Sequence, residues 1–200
     1  EMMQLVERWK RGEPLVALDE PRRKNRDWRQ GPLAEAPVAA MLIALCLAVF
    51  ASMAIFGDLV IAAMTITPIG VAGGKLIVGT LGDTISSGQL WRFISPAFLH
   101  FGWMHLVFNM LWLWYFGRQI ESLQGRWRLL LVVVASALVS NLAQYATGTV
   151  LFGGMSGVDY ALLGYVWLMS RRVPGSGFFV PQMLVVFMLG WMVFTMTDFA

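Results

Sequence analysis

Charged residues and cysteines are scarce in this 200-residue sequence. Only 14% of the residues are charged and 58% are hydrophobic, whereas a soluble domain typically carries about 25% charged residues. The composition therefore excludes an ordinary soluble domain and predicts an integral membrane protein. The single cysteine, Cys46, excludes an intrachain disulfide. There are only two histidines, which limits the choice of any general base.

The few charges are concentrated at the N-terminus. Residues 1–36 hold 15 of the 27 charged side chains, which predicts a cytoplasmic N-terminal segment over residues 1–36 and a membrane domain over residues 37–200. No A-x-A-like cleavage site follows the first apolar run, which argues against a removable signal peptide. The basic residues cluster at the ends of apolar spans, so the net charge of +3 indicates membrane topology and not a nucleic-acid partner.

Five apolar segments predict an all-α membrane protein. A helix needs about 20 residues to cross the hydrocarbon core, and the predicted spans are residues 37–56, 100–117, 129–148, 156–169 and 181–197. Residues 57–92 predict a large external loop. Ten basic residues near the spans fall on the predicted cytoplasmic side and only Lys75 and Arg92 on the external side, as the positive-inside rule requires. The N-terminus is therefore expected inside, and both ends suggest a piece of a longer protein.

The second predicted span carries two polar side chains. His105 and Asn109 are four residues apart, which places them on one helix face, one turn from each other. They could direct hydrogen-bond donors at a common point, or they could join helices by hydrogen bonds, as polar residues in spans commonly do. His100 precedes His105 by five residues and is expected to point elsewhere and to bond the external loop to this span.

Ser156 opens the fourth predicted span, which is shorter than a full crossing and follows a glycine-bearing link. A helix that begins below the membrane surface needs irregular backbone, which is tolerated only inside protein or beside a water-filled cavity. We therefore expect Ser156 at the bottom of a wet pocket. The first N–H groups of that helix would point into the pocket, where an oxyanion would be stabilised.

Two structural roles compete with a catalytic one at this position. Ser156 and Asp159 fit a capping box, in which both side chains bond backbone N–H groups. Gly157, Ala161 and Gly164 form a small-residue face that favours close helix packing. The glycine–serine pattern alone has low specificity, and it lacks the last glycine of the soluble hydrolase elbow.

Taken together, two stretches resemble a rhomboid intramembrane serine protease of the bacterial type. They are GQLWRFISPAFLHFGWMHLVFNMLWLWYFG and, about 50 residues later, FGGMSGVDYALLGYVWL. The resemblance covers roughly residues 88–198 and implies a rhomboid-like helical bundle of which five of the six core transmembrane helices are present. It also implies a serine endopeptidase that cleaves transmembrane segments near the external face through a Ser-His dyad.

The resemblance assigns roles residue by residue. Ser156 would be the nucleophile, and its backbone N–H would form the oxyanion hole with the side chains of His105 and Asn109. Gly154 would leave room for the substrate backbone, and Tyr160 would pack against the catalytic histidine. Three further residues would support the site. Trp91 and Arg92 would order the external loop, and Glu121 would hold the cytoplasmic end of the second span.

Two departures from the family stand out. The family's base is a histidine on a sixth span, which is absent from this sequence, so the 200 residues alone are expected to be inactive. His105 could in principle serve as the base instead. Asp159 stands where an apolar residue usually does. It could orient a neighbour by a hydrogen bond or be protonated, and capping is its expected role.

The resemblance also sets the expected setting of the protein. It implies a multi-pass protein of the inner membrane with its active site opening to the external, periplasmic side, transmembrane proteins as substrates, the lipid bilayer as surroundings, and no cofactor or metal. The alternative is a rhomboid-like pseudoprotease that binds transmembrane clients without cleaving them. A channel has little support, because the polar residues gather at one depth.

Overall fold

The computed structural model describes residues 10–11 and 31–195. Backbone contacts divide the chain into two units, Glu1–Gly31 and Pro32–Ala200. Most of the predicted N-terminal segment, with the basic residues before the first span, lies outside the described residues, and so does the end of the fifth predicted span.

The described part of the chain is a helical bundle, as the apolar runs predict. A short helix α1 (Pro32–Glu35) precedes α2 (Pro37–Phe56), and the four other long helices are α5 (Trp103–Gln124), α6 (Arg126–Ala146), α7 (Ser156–Arg172) and α8 (Gln182–Thr195). By length and composition, α2 and α6 could each cross a membrane, and the apolar helix α8 is shorter. The fold is therefore that of a helical membrane protein.

The helix of the second predicted span has different bounds from those expected. It begins at Trp103 and not at residue 100, because Gly102 has a positive φ of 107° and stands outside the helix. It also continues to Gln124, seven residues beyond the predicted end, because its polar last turns still bury one face that includes Ile120. Gly125, at a φ of 89°, separates it from α6.

The other helices differ less from the predicted spans. Helix α6 starts at Arg126, three residues early, and ends at Ala146 before Gly148, whose φ is 89°. Helix α7 continues beyond the predicted end at residue 169, and its last two residues are arginines. Charged side chains are thus part of these helices, at the ends where they can reach water.

Helix α5 lies at the centre of the bundle and packs against α2, α6 and α7. Its buried face carries Leu106, Leu113, Phe116 and Ile120, each at most 1% exposed. On α2, large apolar side chains such as Ile55 are instead exposed. A helix that is apolar all round is typical of a membrane span, so these outer faces fit a lipid environment.

The predicted external loop contains secondary structure of its own. It is formed by α3 (Asp58–Met64), a hairpin of β1 (Ile69–Ala72) and β2 (Lys75–Val78), α4 (Leu81–Ser86) and a 3₁₀ helix, Leu90–Phe93. A second 3₁₀ helix, Ser95–Phe98, follows the predicted end of the loop at residue 92. The antiparallel strands pair from Ile69 with Val78 to Ala72 with Lys75. Gly73 and Gly74 make the turn, and both have the positive φ that a two-residue hairpin turn of this kind requires.

A carboxylate from α5 caps the first turn of α2. Glu121 is 6% exposed, and its two oxygens accept hydrogen bonds from the backbone N–H groups of Val38 at 3.0 Å and Ala39 at 2.9 Å. These N–H groups have no partner within their own helix. Glu121 therefore joins the two helices and places a negative charge at the positive end of the α2 dipole.

We expect Glu121→Ala to lower the free energy of unfolding by about 2 kcal/mol, because two buried N–H groups lose their acceptor. Glu121→Gln should cost less, since the amide keeps one acceptor oxygen. Thermal unfolding in detergent micelles measures both effects. Ser122→Ala is the matched control, because the exposed Ser122 hydroxyl bonds only to Gln119 in its own helix. Equal unfolding temperatures for Glu121→Ala and the control would contradict the capping role.

Candidate active site

Ser156 is the first residue of α7 and borders a cavity. Its side chain is exposed, although Met155 and Val158 beside it are fully buried. The backbone N–H of Asp159 donates to the carbonyl of Met155 at 2.8 Å and closes the first turn. A hydroxyl at this place is therefore accessible from the cavity and adjoins the N-terminal N–H groups of a helix.

The capping box predicted for Ser156 and Asp159 is wrong. The N-cap position belongs to Met155, and no side chain caps the helix there. Because the helix begins one position earlier than a serine cap would require, the Asp159 side chain is directed towards α5 instead. The loop does contain a capping box, in which Thr80 and Asp83 bond each other's backbone N–H groups.

Two glycines bring the link before α7 against the rest of the fold. A Cβ on Gly153 would lie 2.6 Å from Leu99 Cβ and 2.7 Å from the Leu99 carbonyl oxygen. A Cβ on Gly154 would collide with the imidazole ring of His105, and Gly154 also has a φ of +114°. The N–H of Gly154 donates to the Pro96 carbonyl at 3.1 Å. Only glycine therefore allows this approach.

The small-residue face predicted on α7 is only partly used for packing. A Cβ on Gly157 would lie 2.5 Å from Ser140 Cβ on α6, whereas a Cβ on Gly164 would meet nothing within 4 Å. Close packing of α7 against α6 therefore depends on Gly157 and does not extend to Gly164.

His105 and Asn109 face the same cavity from α5. The amide of Asn109 lies 3.0 Å from Nε2 of His105 and 3.3 Å from the backbone nitrogen of Met155. Asn109 is 5% exposed. The structure thus brings this helical pair to the start of α7, beside Ser156.

His100 lies at this cluster, contrary to the expectation that it points elsewhere. Residues 100–102 precede the helix, so helical spacing does not apply to them. His100 is fully buried, its Nδ1 lies 3.1 Å from the Phe98 carbonyl and its Nε2 lies 3.1 Å from the Asn109 amide. Its ring centroid is 5.2 Å from that of His105. It therefore contacts both the loop and α5.

Asp159 completes the polar cluster from α7. Its carboxyl group is 1% exposed, and Oδ2 lies 3.2 Å from the Asn109 amide. Its other oxygen, Oδ1, has no hydrogen-bond partner among the described residues. Sequence reasoning allowed a hydrogen bond from Asp159 to a neighbour but did not identify Asn109 as the partner, because the capping pattern favoured a local one.

The cavity has a volume of about 790 Å³ and is bordered by α5, α6, α7 and α8. Its apolar wall includes Phe108 and Trp191, whose ring centroids are 6.3 Å apart. Helix α6 contributes Ser140, Asn141 and Gln144, which sequence reasoning did not single out. The sequence could have indicated them, because three polar residues at positions i, i+1 and i+4 are unusual in an otherwise apolar span.

Tyr160 joins α7 to α8. Its hydroxyl donates to the Met188 carbonyl at 3.0 Å, and its side chain borders the cavity. The proposed contact of Tyr160 with a histidine of a sixth span stays a prediction.

Trp91 and Arg92 bind the carbonyl end of α3 to the rest of the loop. Trp91 Nε1 donates to the Ala63 carbonyl at 3.1 Å, and Arg92 Nη1 donates to the carbonyls of Ala62 at 2.8 Å and Thr65 at 2.9 Å. Arg92 is 6% exposed, and its Nε also bonds to Gln89. Burial lowers the pKa of Arg92.

Comparison with known proteins adds an independent finding. The family model of the Rhomboid domain matches residues 87–199. The chain is 37% identical over 156 residues to a rhomboid protease GlpG homolog of Cronobacter sakazakii, covering 78% of the chain and 52% of that protein. It is 35% identical over 162 residues to the rhomboid protease GlpG of Salmonella paratyphi A, covering 81% and 54%. The chain spans about half the length of these curated relatives.

We expect Gly153→Ala and Gly154→Ala each to lower the unfolding temperature, because the added methyl group overlaps Leu99 or His105. The Gly154 variant adds backbone strain at its positive φ. Gly164→Ala is the matched control on α7, where a methyl group meets open space and alanine favours the helix by up to about 1 kcal/mol. Thermal unfolding of the three variants tests this order, and a control as unstable as the other two would contradict it.

Arg92→Ala should free the end of α3, because two carbonyls lose a charged donor. We expect a loss of about 1–3 kcal/mol in stability and faster amide hydrogen exchange over Asp58–Met64. Arg92→Lys should restore only part of it, since one ammonium group does not reproduce the guanidinium geometry. Lys75→Ala, an exposed charge in the same loop, is the control. Unchanged exchange in Arg92→Ala would exclude this anchoring role.

Proposed function

This chain belongs to the rhomboid family, and on that premise we propose that it is the catalytic part of an intramembrane serine endopeptidase that cleaves transmembrane segments of other membrane proteins. The observation that carries the proposal is the exposed Ser156 hydroxyl at the N-terminus of α7, facing a cavity that His105 and Asn109 also border. The names of the relatives, which are rhomboid proteases, support the same reaction.

Ser156 is the nucleophile of the proposed reaction. Its Oγ attacks the scissile carbonyl carbon as a general base takes the hydroxyl proton, and the carbonyl oxygen becomes an oxyanion. Collapse of this intermediate breaks the C–N bond, the amine leaves with that proton, and water hydrolyses the acyl-enzyme that remains. The backbone N–H of Ser156 and the side chains of His105 and Asn109 stabilise the oxyanion. Removal of one such donor typically costs a hundredfold or more in rate.

The cavity suits an apolar chain that has lost its helical hydrogen bonds. Phe108, Trp191 and their neighbours contact the side chains of the substrate, whereas the polar end receives the peptide group. Gly154 borders the cavity and carries no side chain, which leaves room for the substrate backbone beside this link. Among the candidate substrates, single-span membrane proteins with small residues at the scissile bond suit this space best.

The basic residues set the proposed orientation. Three arginines lie towards the end of the bundle opposite Ser156. They are Arg118 in the second half of α5, Arg126 at the start of α6 and Arg172 at the end of α7. By the positive-inside rule this end is cytoplasmic. The cavity at Ser156 then opens towards the external side of the inner membrane, and residues 1–36 are cytoplasmic.

The general base is the missing part of the proposed site. The sequence contains only His100 and His105, and both Nε2 atoms lie against the Asn109 amide. We therefore assign neither histidine as the base, and we propose that a histidine outside these 200 residues serves Ser156. The 200-residue chain by itself then leaves peptide bonds intact.

The sequence has only two histidines and neither is assigned as the base, which also supports a second candidate function, that of a pseudoprotease. Such a protein binds a transmembrane client in the same cavity without cleaving it. The two candidates share the fold and the cavity, and they differ only in whether a base reaches Ser156.

We expect a fluorophosphonate probe to label Ser156 when the chain is expressed together with the sequence that follows it in its gene. Ser156→Ala should abolish labelling and cleavage of a doubly tagged single-span reporter, because the nucleophile is gone. Ser140→Ala, a second serine of the cavity, should keep both. Residues 1–200 alone should not cleave. A folded, extended protein that binds the reporter but neither cleaves it nor reacts with the probe would favour the pseudoprotease.

A further inference from the structure

Within the described residues, the buried carboxyl group of Asp159 has the Asn109 amide as its hydrogen-bond neighbour. Asp159 Oδ2 lies 3.2 Å from one polar atom of this amide. The other amide atom faces three nitrogens, namely His105 Nε2 at 3.0 Å, His100 Nε2 at 3.1 Å and the Met155 backbone nitrogen at 3.3 Å. An amide oxygen only accepts and an amide nitrogen only donates. An ionised Asp159 can only accept and requires the NH₂ group of Asn109 on its side, whereas a protonated Asp159 can also donate and allows the amide oxygen there.

An ionised Asp159 would accept from the Asn109 NH₂ group. The amide oxygen would then face both imidazole rings and require a proton on Nε2 of His100. Because Nδ1 of His100 faces the Phe98 carbonyl, which also only accepts, that ring would be protonated at both nitrogens and cationic. This arrangement places a carboxylate and an imidazolium, both fully or almost fully buried, without a direct ion pair.

A protonated Asp159 satisfies the same atoms without any charge. Its hydroxyl donates to the Asn109 oxygen, and the NH₂ group donates to Nε2 of His105 and of His100, while Nδ1–H of His100 donates to Phe98. Burial lowers the pKa of His100 to about 4, so this ring is neutral at pH 7. The unpartnered Oδ1 is then the oxygen of a neutral acid, whose burial costs far less than that of a carboxylate. The Met155 N–H alone loses an acceptor.

We propose that Asp159 is a positioning residue whose carboxyl proton holds the NH₂ group of Asn109 towards His105 and the cavity. In the resting site His105 Nε2 accepts from this group. A substrate oxyanion is the stronger acceptor and takes the hydrogen bond over. This rests on the proposed function and revises one role in it: the donors to the oxyanion are the Asn109 NH₂ group and the Ser156 backbone N–H, whereas His105 orients the amide and does not itself donate.

Loss of the proton would reverse the amide. The Asn109 carbonyl oxygen would then face the place where the oxyanion forms and would repel it. Besides the two histidines, the titratable groups near Asp159 are Cys46 of α2 and Tyr160 of α7. No described cation forms an ion pair with the carboxyl group that would favour ionisation.

Two spectroscopic measurements on the purified chain test the proposal without reference to proteolysis. Infrared difference spectra at pH 7 should show the carbonyl band of a protonated carboxylic acid that disappears in Asp159→Asn and persists in Asp58→Asn, an exposed control. The ¹⁵N chemical shifts should show no proton on Nε2 of either histidine. Absence of the band in the folded wild-type chain, or a His100 ring protonated at both nitrogens, would overturn the proposal.

A further test measures proteolytic activity and therefore rests on the proposed function. In the extended protein, alkaline pH should lower kcat by roughly a hundredfold as Asp159 ionises. Asp159→Asn should rescue this loss, because its NH₂ group donates to Asn109 at every pH. The same alkaline loss in Asp159→Asn as in the wild type would also overturn the proposal. An extended protein without proteolysis but with the expected spectra would refute the proposed function and leave the hydrogen-bond assignment in place.

Discussion

The close approach of Gly154 to His105 is the contact on which the geometry of the site depends. It places the link before α7 against α5, and the N–H of Gly154 bonds to the Pro96 carbonyl in the same passage. Helix α7 begins two residues later, so the position of Ser156 follows directly from this approach. A side chain at Gly154 would push the two helices apart and separate Ser156 from Asn109. The glycine therefore determines where the serine lies.

The polar groups of α5 hold the bundle at two levels. Glu121 near one end binds the first turn of α2, and His105 and Asn109 near the other end meet the start of α7. Sixteen residues separate Glu121 from His105, which corresponds to roughly 24 Å along a helix. In hydrocarbon an unsatisfied polar group costs several kcal/mol. Each polar contact therefore specifies one helix neighbour, whereas the apolar packing between them is less selective.

The helical bundle could be predicted from the sequence because apolar runs about 20 residues long have few other uses. The position of His105 and Asn109 on one helix face could also be predicted, because residues four apart are neighbours on the surface of a helix. His100 could not be placed, because a helix start at Trp103 instead of residue 100 changes its direction entirely. The direction of the Asp159 side chain also depends on a shift of one residue. Because α7 starts after Met155, the carboxyl group is directed away from the backbone of its own helix. Local sequence does not decide such small shifts; the packing of α7 against α5 does.

The resting site satisfies its polar groups by pairing them with one another. The Asn109 amide has acceptor and donor sides, and in an apolar environment both need partners. The histidines serve one side of the amide, and Asp159 serves the far side. With an apolar side chain in place of Asp159, the far side would have to find another partner or remain unpaired. A neutral acid supplies that partner without bringing a charge into the membrane, so the same hydrogen bond that stabilises the buried amide also fixes its direction.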